Sequence, residues 1–327
     1  MADKPKVAFY WCASCGGCEE AVVDLNEELL QVAGMIDIVF WPVAMDFKTK
    51  DVEAMPEKSI AVSFINGAIR SSEQLEMAEM LRKKSACVVA FGACSHLGGI
   101  PALANLSSKQ AILEYVYKGT PSTSNPKGTL PQVKYKDEQG HELTLPVLHN
   151  KVRALDQVID VDYYLPGCPP MPKTIKEGVL TLLSGKLPPK GSVLSPDVAL
   201  CDECPQKKSK PEKLVIPKFH RPHQIVADPT KCFLAQGIPC MGIATRKGCE
   251  AMCIRGQMPC TGCYGPTSRV KDGGAKLLSA IASEVDAMDD AKIEEILAGI
   301  PDPVGTFYRY SLAASLLQRK IVDKRGG

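Results

Sequence analysis

Short apolar runs alternate with amphipathic segments through the first half of the chain. The apolar runs cover residues 7–11, 36–42, 60–65, 87–91 and 161–165. They are short and continuous, as the central strands of parallel sheets are. Apolar residues then recur at helical spacing after the first run, over 72–84 and over 174–183. Because strands alternate with helices, the pattern predicts an α/β fold with one parallel sheet and right-handed crossovers.

The pattern changes twice along the chain. A polar stretch that contains proline and glycine, from Lys118 to His149, predicts a surface insertion. A proline-rich stretch near Leu187 then predicts a domain boundary, with one domain over 1–190 and a second over 191–327. The second domain has little apolar periodicity before three helical stretches, 274–285, 291–297 and 307–321. We therefore expect it to be largely irregular and helical, with bound metal in place of an apolar core.

Composition narrows the class of protein. The chain has 327 residues and 45% hydrophobic content, which is enough for two domains with real cores. The formal net charge is only +2 and no dense block of basic residues occurs, so we predict no nucleic-acid partner. No run approaches the roughly 18 apolar residues of a membrane-spanning helix. The first residues lead directly into a strand without a signal segment, which predicts a cytoplasmic protein.

Fourteen cysteines are the unusual feature of the composition. In a reducing cytoplasm, such a chain binds metal more often than it forms disulfides. Cysteine follows a predicted strand three times, at Cys15 and Cys18, at Cys94 and at Cys168. The carboxyl ends of parallel strands meet at one edge of a sheet, where ligands bind. We therefore expect these four thiolates to surround one site.

Eight further cysteines fall within about 63 residues of the second domain, at positions 201, 204, 232, 240, 249, 253, 260 and 263. Iron–sulfur cubanes take four thiolates each, so twelve cysteines are enough for three [4Fe–4S] clusters. A pair of zinc sites is the alternative for this stretch, since CxxC pairs are common to both chemistries. A thioredoxin-like dithiol at Cys15 and Cys18 would leave most of the cysteines unexplained.

Two cysteines and four other residues remain open on the sequence alone. Cys87 begins a strand and is predicted to be a buried apolar residue, whereas Cys12 could pair with Cys15 as well as Cys18 does. Glu19 could lie near a partner interface or favour a helix N-terminus through its dipole. His96, close to Cys94, could line the site of the four thiolates or be a polar loop residue. His220 and His223 could be metal ligands but are predicted to be surface residues.

Five segments of the chain carry a family resemblance. Cys15-Gly-Gly-Cys18-Glu19, the run from Gly92 to Gly99 and the run from Pro166 to Pro170 resemble the flavodoxin-like domain of [NiFe]-hydrogenase small subunits. The runs 240–249 and 259–265 are similar to the cytoplasmic branch with the methyl-viologen-reducing and F420-reducing enzymes. The resemblance covers nearly the whole chain.

The resemblance implies three groups of cluster ligands. The proximal set is Cys15, Cys18, Cys94 and Cys168. The distal set is Cys201, Cys204, Cys232 and Cys240. The medial set is Cys249, Cys253, Cys260 and Cys263. In the periplasmic branch a histidine stands at the place of Cys201 and a proline near that of Cys253. Since both are cysteines here, each set is expected to hold a [4Fe–4S] cluster.

The resemblance also implies a function and partners. The chain would transfer electrons from the nickel–iron site of a separate large subunit to an iron–sulfur or flavin acceptor subunit, as in branches that feed heterodisulfide reductase. Chemistry at nickel would belong to the large subunit, so no catalytic residue is expected here. Two alternatives remain. One is a related relay whose large partner lacks nickel–iron, as in the respiratory NADH dehydrogenase lineage. The other is a zinc-stabilised scaffold.

Overall fold

The computed structural model describes residues 4–285, 287 and 289–317. The strands are β1 Lys6–Trp11, β2 Asp37–Phe40, β3 Ile60–Asn66, β4 Ile69–Ser71, β5 Ser85–Phe91, β6 Lys134–Lys136, β7 Glu142–Thr144, β8 Leu148–Arg153, β9 Tyr163–Leu165 and β10 Ser192–Val193. The helices are α1 Gly17–Val23, α2 Glu27–Met35, α3 Thr49–Glu53, α4 Ser72–Lys84, α5 Ala93–Leu97, α6 Lys109–Glu114, α7 Pro172–Leu183, α8 Met252–Arg255, α9 Gly273–Ala282, α10 Asp290–Leu297 and α11 Pro303–Phe307.

A six-stranded parallel sheet forms the centre of the first domain, in the order β10-β9-β5-β3-β1-β2. Numbered as they enter the sheet, these strands have the order 2-1-3-4-5-6, which extends the 2-1-3-4-5 order of flavodoxin-like folds. The predicted α/β class is therefore confirmed. The boundary near residue 190 stays a prediction, and β10, just beyond it, still belongs to the sheet.

Local sequence explains where helix α4 begins and why the segment after β1 forms two helices. Helix α4 begins where Ser71 Oγ accepts a hydrogen bond from the backbone N–H of Gln74, whose side chain in turn accepts one from the N–H of Ser71. The amphipathic segment after β1 is not one helix but two, because Asn26 adopts a φ of +51° between α1 and α2. Asparagine tolerates such a conformation better than most residues.

The polar stretch from Lys118 to His149 lies on the surface, as predicted. It contains the exposed antiparallel hairpin of β6 and β7. Strand β8 comes at its end and pairs antiparallel with β4, so the chain returns from the insertion to the strand that precedes α4.

The part of the chain after residue 190 contributes to an apolar core, so the expectation that bound metal takes the place of a core there was wrong. Its buried side chains include Leu200, Ile216, Phe219, Phe233 and Ile254. Most of these lie in loops and short 3-10 turns, where neither the 3.6-residue nor the 2-residue period appears. The apolar residues were therefore visible in the sequence, but their packing was not.

The predicted helix over 307–321 is also wrong for its described part. Helix α11 ends at Phe307, and residues 308–317 form turns, while 318–321 lie outside the described residues. Backbone groups here bond to other elements, since the carbonyl of Tyr310 accepts from Gly99 N–H (3.0 Å) and that of Ala313 from Gln157 Nε2 (2.8 Å). Within the described parts of the chain, no helix has the length and apolar character needed to cross a membrane.

Candidate functional site

The sheet brings the proximal set together from three strand ends. Cys15 and Cys18 lie where β1 passes into α1, Cys94 lies in the first turn of α5 after β5, and Cys168 follows β9. Burial, and then negative charge on Cys168 and Cys15, raise the pKa of the Cys94 thiol to about 12. Burial and the charges of Cys94, Cys168 and Cys15 likewise raise the pKa of Cys18. All four thiols therefore lie within electrostatic reach of one another.

Two glycines allow the backbone to approach these thiols. A Cβ at Gly92 would lie 2.4 Å from Cys18 Sγ, and a Cβ at Gly99 would lie 2.5 Å from Cys94 Sγ. Both residues also have positive φ, +85° and +58°, which L side chains rarely adopt. The loop that follows β5 thus requires glycine on both sides of Cys94.

The distal set assembles mainly from loops. Cys201 lies in a 3-10 turn and Cys204 just after it, and both thiols have raised pKa values, first from burial. Burial raises the pKa of Cys240 to about 12. Hydrogen bonds from backbone N–H groups oppose this shift, and negative charge on Cys201 and Cys232 adds to it. A Cβ at Gly242 would meet Cys240 Sγ at 3.7 Å and Cys201 Sγ at 3.8 Å. These four cysteines are neighbours in space.

The medial set lies between the other two. Burial and charges on Cys249 and Cys168 raise the pKa of Cys263 to about 12, so Cys263 is close to the proximal set. At the other end, the backbone N–H of Cys260 donates to Cys240 Sγ at 3.4 Å. The thiols thus form a continuous series from Cys168 through the medial set to Cys240. That they bind metal remains a prediction.

The donor chemistry fits a sulfur-ligated group. Each set consists of thiols alone, the ligand type that soft iron sites prefer. Beside Cys94, the buried Ser95 Oγ and His96 Nδ1 have no hydrogen-bond partner among the described residues. Buried polar atoms are rarely left unpaired, so these atoms are consistent with a group bound nearby. In the described ranges, no three His, Cys, Asp or Glu side chains are grouped as ligands of a single metal ion.

Cys12 and Cys87 lie apart from the three sets. Cys12 packs in the apolar layer that contains Phe40 and Ile65, and burial followed by charge on Glu73 raises its pKa. Cys87 is partly buried, and burial and charge on Asp162 raise its pKa to about 11. Cys12 packs in a different apolar cluster from Cys18, so the structure gives Cys12 no place in the proximal set.

Glu19 and His96 are more buried than their sequence context suggested. Glu19, 4% exposed, accepts hydrogen bonds from Asn66 Nδ2 at 2.5 Å and from Trp41 Nε1. Burial raises the pKa of Glu19, and these two hydrogen bonds oppose the shift. The His96 ring packs against Tyr164 with ring centres 4.6 Å apart and planes tilted by 39°, and burial and then the charge of Arg246 lower the pKa of His96 to about 3. Both side chains support the proximal loops from within the protein.

Lysines at 207, 208, 210 and 213 lie between Cys204 and Cys232, and reasoning from the sequence did not single them out. Four lysines within seven residues beside a CxxC pair were a visible signal. His223 is exposed and His220 partly buried, and both line a surface cleft beside Cys260. The surface assignment thus holds for His223 and only partly for His220.

Comparison with known proteins gives consistent matches. The family model of the NADH ubiquinone oxidoreductase 20 Kd subunit matches residues 15–182. The iron–sulfur subunit of the F420-non-reducing hydrogenase of Archaeoglobus profundus is 38% identical over 97% of this chain and 98% of that protein. A subunit of the F420-non-reducing hydrogenase of Methanothermobacter thermautotrophicus is 37% identical over 98% of each chain.

A solved structure supports the fold. One chain of the oxidized [NiFeSe] hydrogenase from Desulfovibrio vulgaris Hildenborough covers 81% of this chain and 95% of its own length, with a TM-score of 0.51 and 16% identity. At that identity the likeness bears on the fold alone. The assignment to a family rests instead on the family model and on the two relatives, which match over nearly the whole length: the chain belongs to the [NiFe]-hydrogenase small-subunit family, in the branch of the F420-non-reducing hydrogenases.

Proposed function

We propose that this chain is the electron-transfer small subunit of a [NiFe]-hydrogenase complex. It would carry electrons from the nickel–iron site of a large subunit, by way of three [4Fe–4S] clusters, to an iron–sulfur or flavin acceptor subunit. Family membership supports the general role, because the relatives are named as hydrogenase subunits and one as an iron–sulfur subunit. We propose the cytoplasm as its location.

One observation carries the finer proposal, namely the continuous series of thiols. The proximal set adjoins the medial set at Cys168 and Cys263, and the medial set adjoins the distal set at Cys260 and Cys240. Electron transfer over the length of a protein requires closely spaced redox groups. A scaffold that only stabilises the fold would not require its sites to adjoin in this way.

The residues of the chain have separable roles in this proposal. The twelve thiols would hold the clusters, which when bound accept and donate single electrons. In the proximal set Cys18 and Cys94 are buried, Cys168 is partly buried and Cys15 is exposed, and the exposure of a cluster to water is one means by which a protein adjusts its potential. The direction of transfer, in at the proximal set and out at the distal set, is taken from the family resemblance.

A second candidate is a relay in a related oxidoreductase whose large subunit lacks nickel–iron. The match of residues 15–182 to the NADH ubiquinone oxidoreductase subunit model favours it. That match covers the first domain only, whereas the two hydrogenase relatives also match the second domain with its eight cysteines. The two candidates differ in the nickel content of the partner.

The test is the metal content of the complex purified without oxygen. We expect about twelve irons and matching acid-labile sulfide per chain, as three four-iron clusters require, with nickel in a co-purifying large subunit. Zinc without sulfide would contradict the relay and leave the scaffold. Full iron and sulfide with a partner free of nickel would replace the hydrogenase by the second candidate.

A further inference from the structure

A loop rich in lysine borders the distal set. We call residues 207–213 the lysine loop, and its lysines are Lys207, Lys208, Lys210 and Lys213. All four side chains are exposed. The loop begins three residues after Cys204, and the backbone N–H of Lys207 donates to the Cys204 carbonyl at 3.1 Å. Its position relative to the thiols is therefore fixed at one end by the CxxC turn.

Hydrogen bonds fix the loop to the segment that carries the third distal cysteine. Ser209 Oγ accepts from the backbone N–H of Cys232 at 2.7 Å. Just before the loop, Gln206 Nε2 donates to the carbonyl of Pro229 at 3.0 Å. Because both contacts link the 206–209 turn to residues 229–232, the lysines are held beside Cys232 rather than free to leave it.

Most of this positive charge is not neutralised within the chain. Lys207 pairs with Asp202 at 2.7 Å, but Lys208, Lys210 and Lys213 form no ion pair with any described residue. Glu212 is the one acidic residue of the loop and has no ion pair with a described residue, so the loop keeps a net positive charge. An exposed row of unpaired lysines next to a proposed electron-exit site is available for a partner.

The proximal end has the opposite charge. Residues 15–35 contain Glu19, Glu20, Asp24, Glu27 and Glu28 and no lysine or arginine. All of these except Glu19 are exposed or partly exposed. Glu28 pairs with Lys176 at 2.5 Å, which leaves Glu20, Asp24 and Glu27 as unpaired acids among these described residues, so the segment after the first proximal cysteines is acidic where the lysine loop is basic.

We infer that the lysine loop is the docking surface for an electron acceptor protein with an acidic surface around its redox centre. This inference rests on the proposed function and adds the chemistry of the partner. Opposite charges steer diffusional encounters and orient the partner, with gains in association rate of about 10- to 1,000-fold that salt removes. The lysines would thus bring the acceptor to the partly buried thiols of Cys204 and Cys232.

The experiment uses the complex of this chain with its large subunit, separated from any acceptor subunit, under hydrogen with two acceptors. One is an acidic plant-type [2Fe–2S] ferredoxin, and the other is methyl viologen, a small dication that the lysines do not attract. Each H2 molecule oxidised gives two protons and two electrons, and so reduces two ferredoxins or two viologens. The test variant is Lys208→Glu/Lys210→Glu, and the matched control is Lys127→Glu/Lys136→Glu, which reverses two exposed charges in the surface insertion.

The readout is kcat/KM for ferredoxin divided by kcat for the dye at saturation, because the reversed charges would alter the association of a dicationic dye. At an ionic strength of about 0.01 M, where the Debye length is about 30 Å, we expect this ratio to fall about tenfold in the test variant, within the range of electrostatic steering. The control should keep the wild-type ratio. At about 1 M salt, where the Debye length is about 3 Å, test variant and wild type should converge.

Division by the dye rate separates docking from folding. A test variant that retains the wild-type ratio at low salt would overturn the inference and leave the proposed function intact, as would a wild-type complex that reduces the dye but not ferredoxin. A wild-type complex that reduces neither acceptor would instead overturn the proposed function. If the charge-reversal variant is recovered in low yield, Lys208→Gln/Lys210→Gln should give an intermediate ratio.

Discussion

The two parts of the thiol series are built in different ways. The proximal cysteines lie up to 153 positions apart, from Cys15 to Cys168, and meet because three parallel strands end at one edge. The distal and medial cysteines occupy a single stretch of loops and turns, with CxxC pairs that fix neighbours locally. The first site therefore depends on the whole sheet, whereas the other two depend mainly on short-range geometry and on packing under the loops.

Because of this difference, we expect the two parts of the thiol series to respond to different substitutions. Changes in the sheet or its loops should affect the proximal set without touching a thiol. The second domain should respond instead to changes that loosen its attachment to the first. The following substitutions test this distinction, from the largest expected effect to the smallest.

Loss of one proximal thiol should have the largest effect. In Cys18→Ala we expect iron to fall from about twelve to about eight per chain, because one four-iron cluster loses a ligand, and hydrogen-dependent dye reduction to be lost. Cys12→Ala is the matched control, since Cys12 lies nearby in the sequence but packs in the apolar layer. Iron analysis and dye assays give the readout. Equal iron loss in both variants would show that Cys12, not only Cys18, belongs to the proximal site.

Loss of the ion pairs that Asp162 forms with Arg82 and Lys190 should have the next largest effect. Arg82 Nη1 and Lys190 Nζ each lie 2.6 Å from a carboxylate oxygen of Asp162, which also accepts from the N–H of Val88 at 2.8 Å. Burial alone would raise the pKa of Asp162, but these hydrogen bonds lower it below its usual value. Since Lys190 is exposed, its share is small. Asp162→Asn should lower the free energy of unfolding by about 3 kcal/mol, because Arg82 loses a buried partner.

The pH dependence of that loss follows from the direction of the shift. A carboxyl with a depressed folded-state pKa contributes stability above its unfolded pKa of about 3.9 and loses it as the pH falls through the folded value. The difference between wild type and Asp162→Asn should therefore stay constant from about pH 5 to about pH 8. Chemical denaturation at several pH values would measure it. A difference that disappears near pH 6 would contradict this account.

A substitution that leaves every thiol in place should still disturb the proximal set. Gly92→Ala should destabilise the protein by about 2 kcal/mol or more, because a positive φ costs an L residue roughly 1–2 kcal/mol and its Cβ would press on Cys18 Sγ. Gly34→Ala is the control, since a Cβ in helix α2 meets nothing within 4 Å. It should be neutral or stabilising by less than about 1 kcal/mol. Thermal unfolding and iron content test both, and a normal iron content in Gly92→Ala would argue against the close approach.

The smallest effect should come from the contact of Tyr264 with residues 171–174. The buried hydroxyl of Tyr264 contacts Thr174 Oγ1 at 3.0 Å and accepts from the N–H of Met171 at 3.2 Å. Tyr264→Phe should cost about 1–2 kcal/mol, since it leaves a buried N–H unpaired. Tyr135→Phe on the exposed β6 should change stability by less than about 0.5 kcal/mol. Denaturation of both variants gives the free energies of unfolding. Equal values for Tyr264→Phe and Tyr135→Phe would show that the Tyr264 hydroxyl does not stabilise this contact.

The sheet was predictable because its strands are short apolar runs whose direction follows from the alternating helices. The convergence of Cys94 and Cys168 follows from the same rule, since parallel strands share a carboxyl edge. The break at Asn26 was not predictable, because the apolar spacing continues across it. The turns after Phe307 depend on partners far away in sequence, such as Gln157. Side-chain periodicity carries no information about such contacts.

The closure of residues 308–313 over the loop after Cys94 has a consequence for synthesis. Gly99 N–H bonds to Tyr310, Gln157 bonds to Ala313, and a Cβ at Gly98 would lie only 2.5 Å from that of Ala313. While the chain emerges from the ribosome, the sheet can form long before these residues appear. The loop around Cys94 gains these hydrogen bonds only after residues 310–313 have been synthesised. Maturation of the proximal site is therefore expected to be a late event, which follows translation of the second domain.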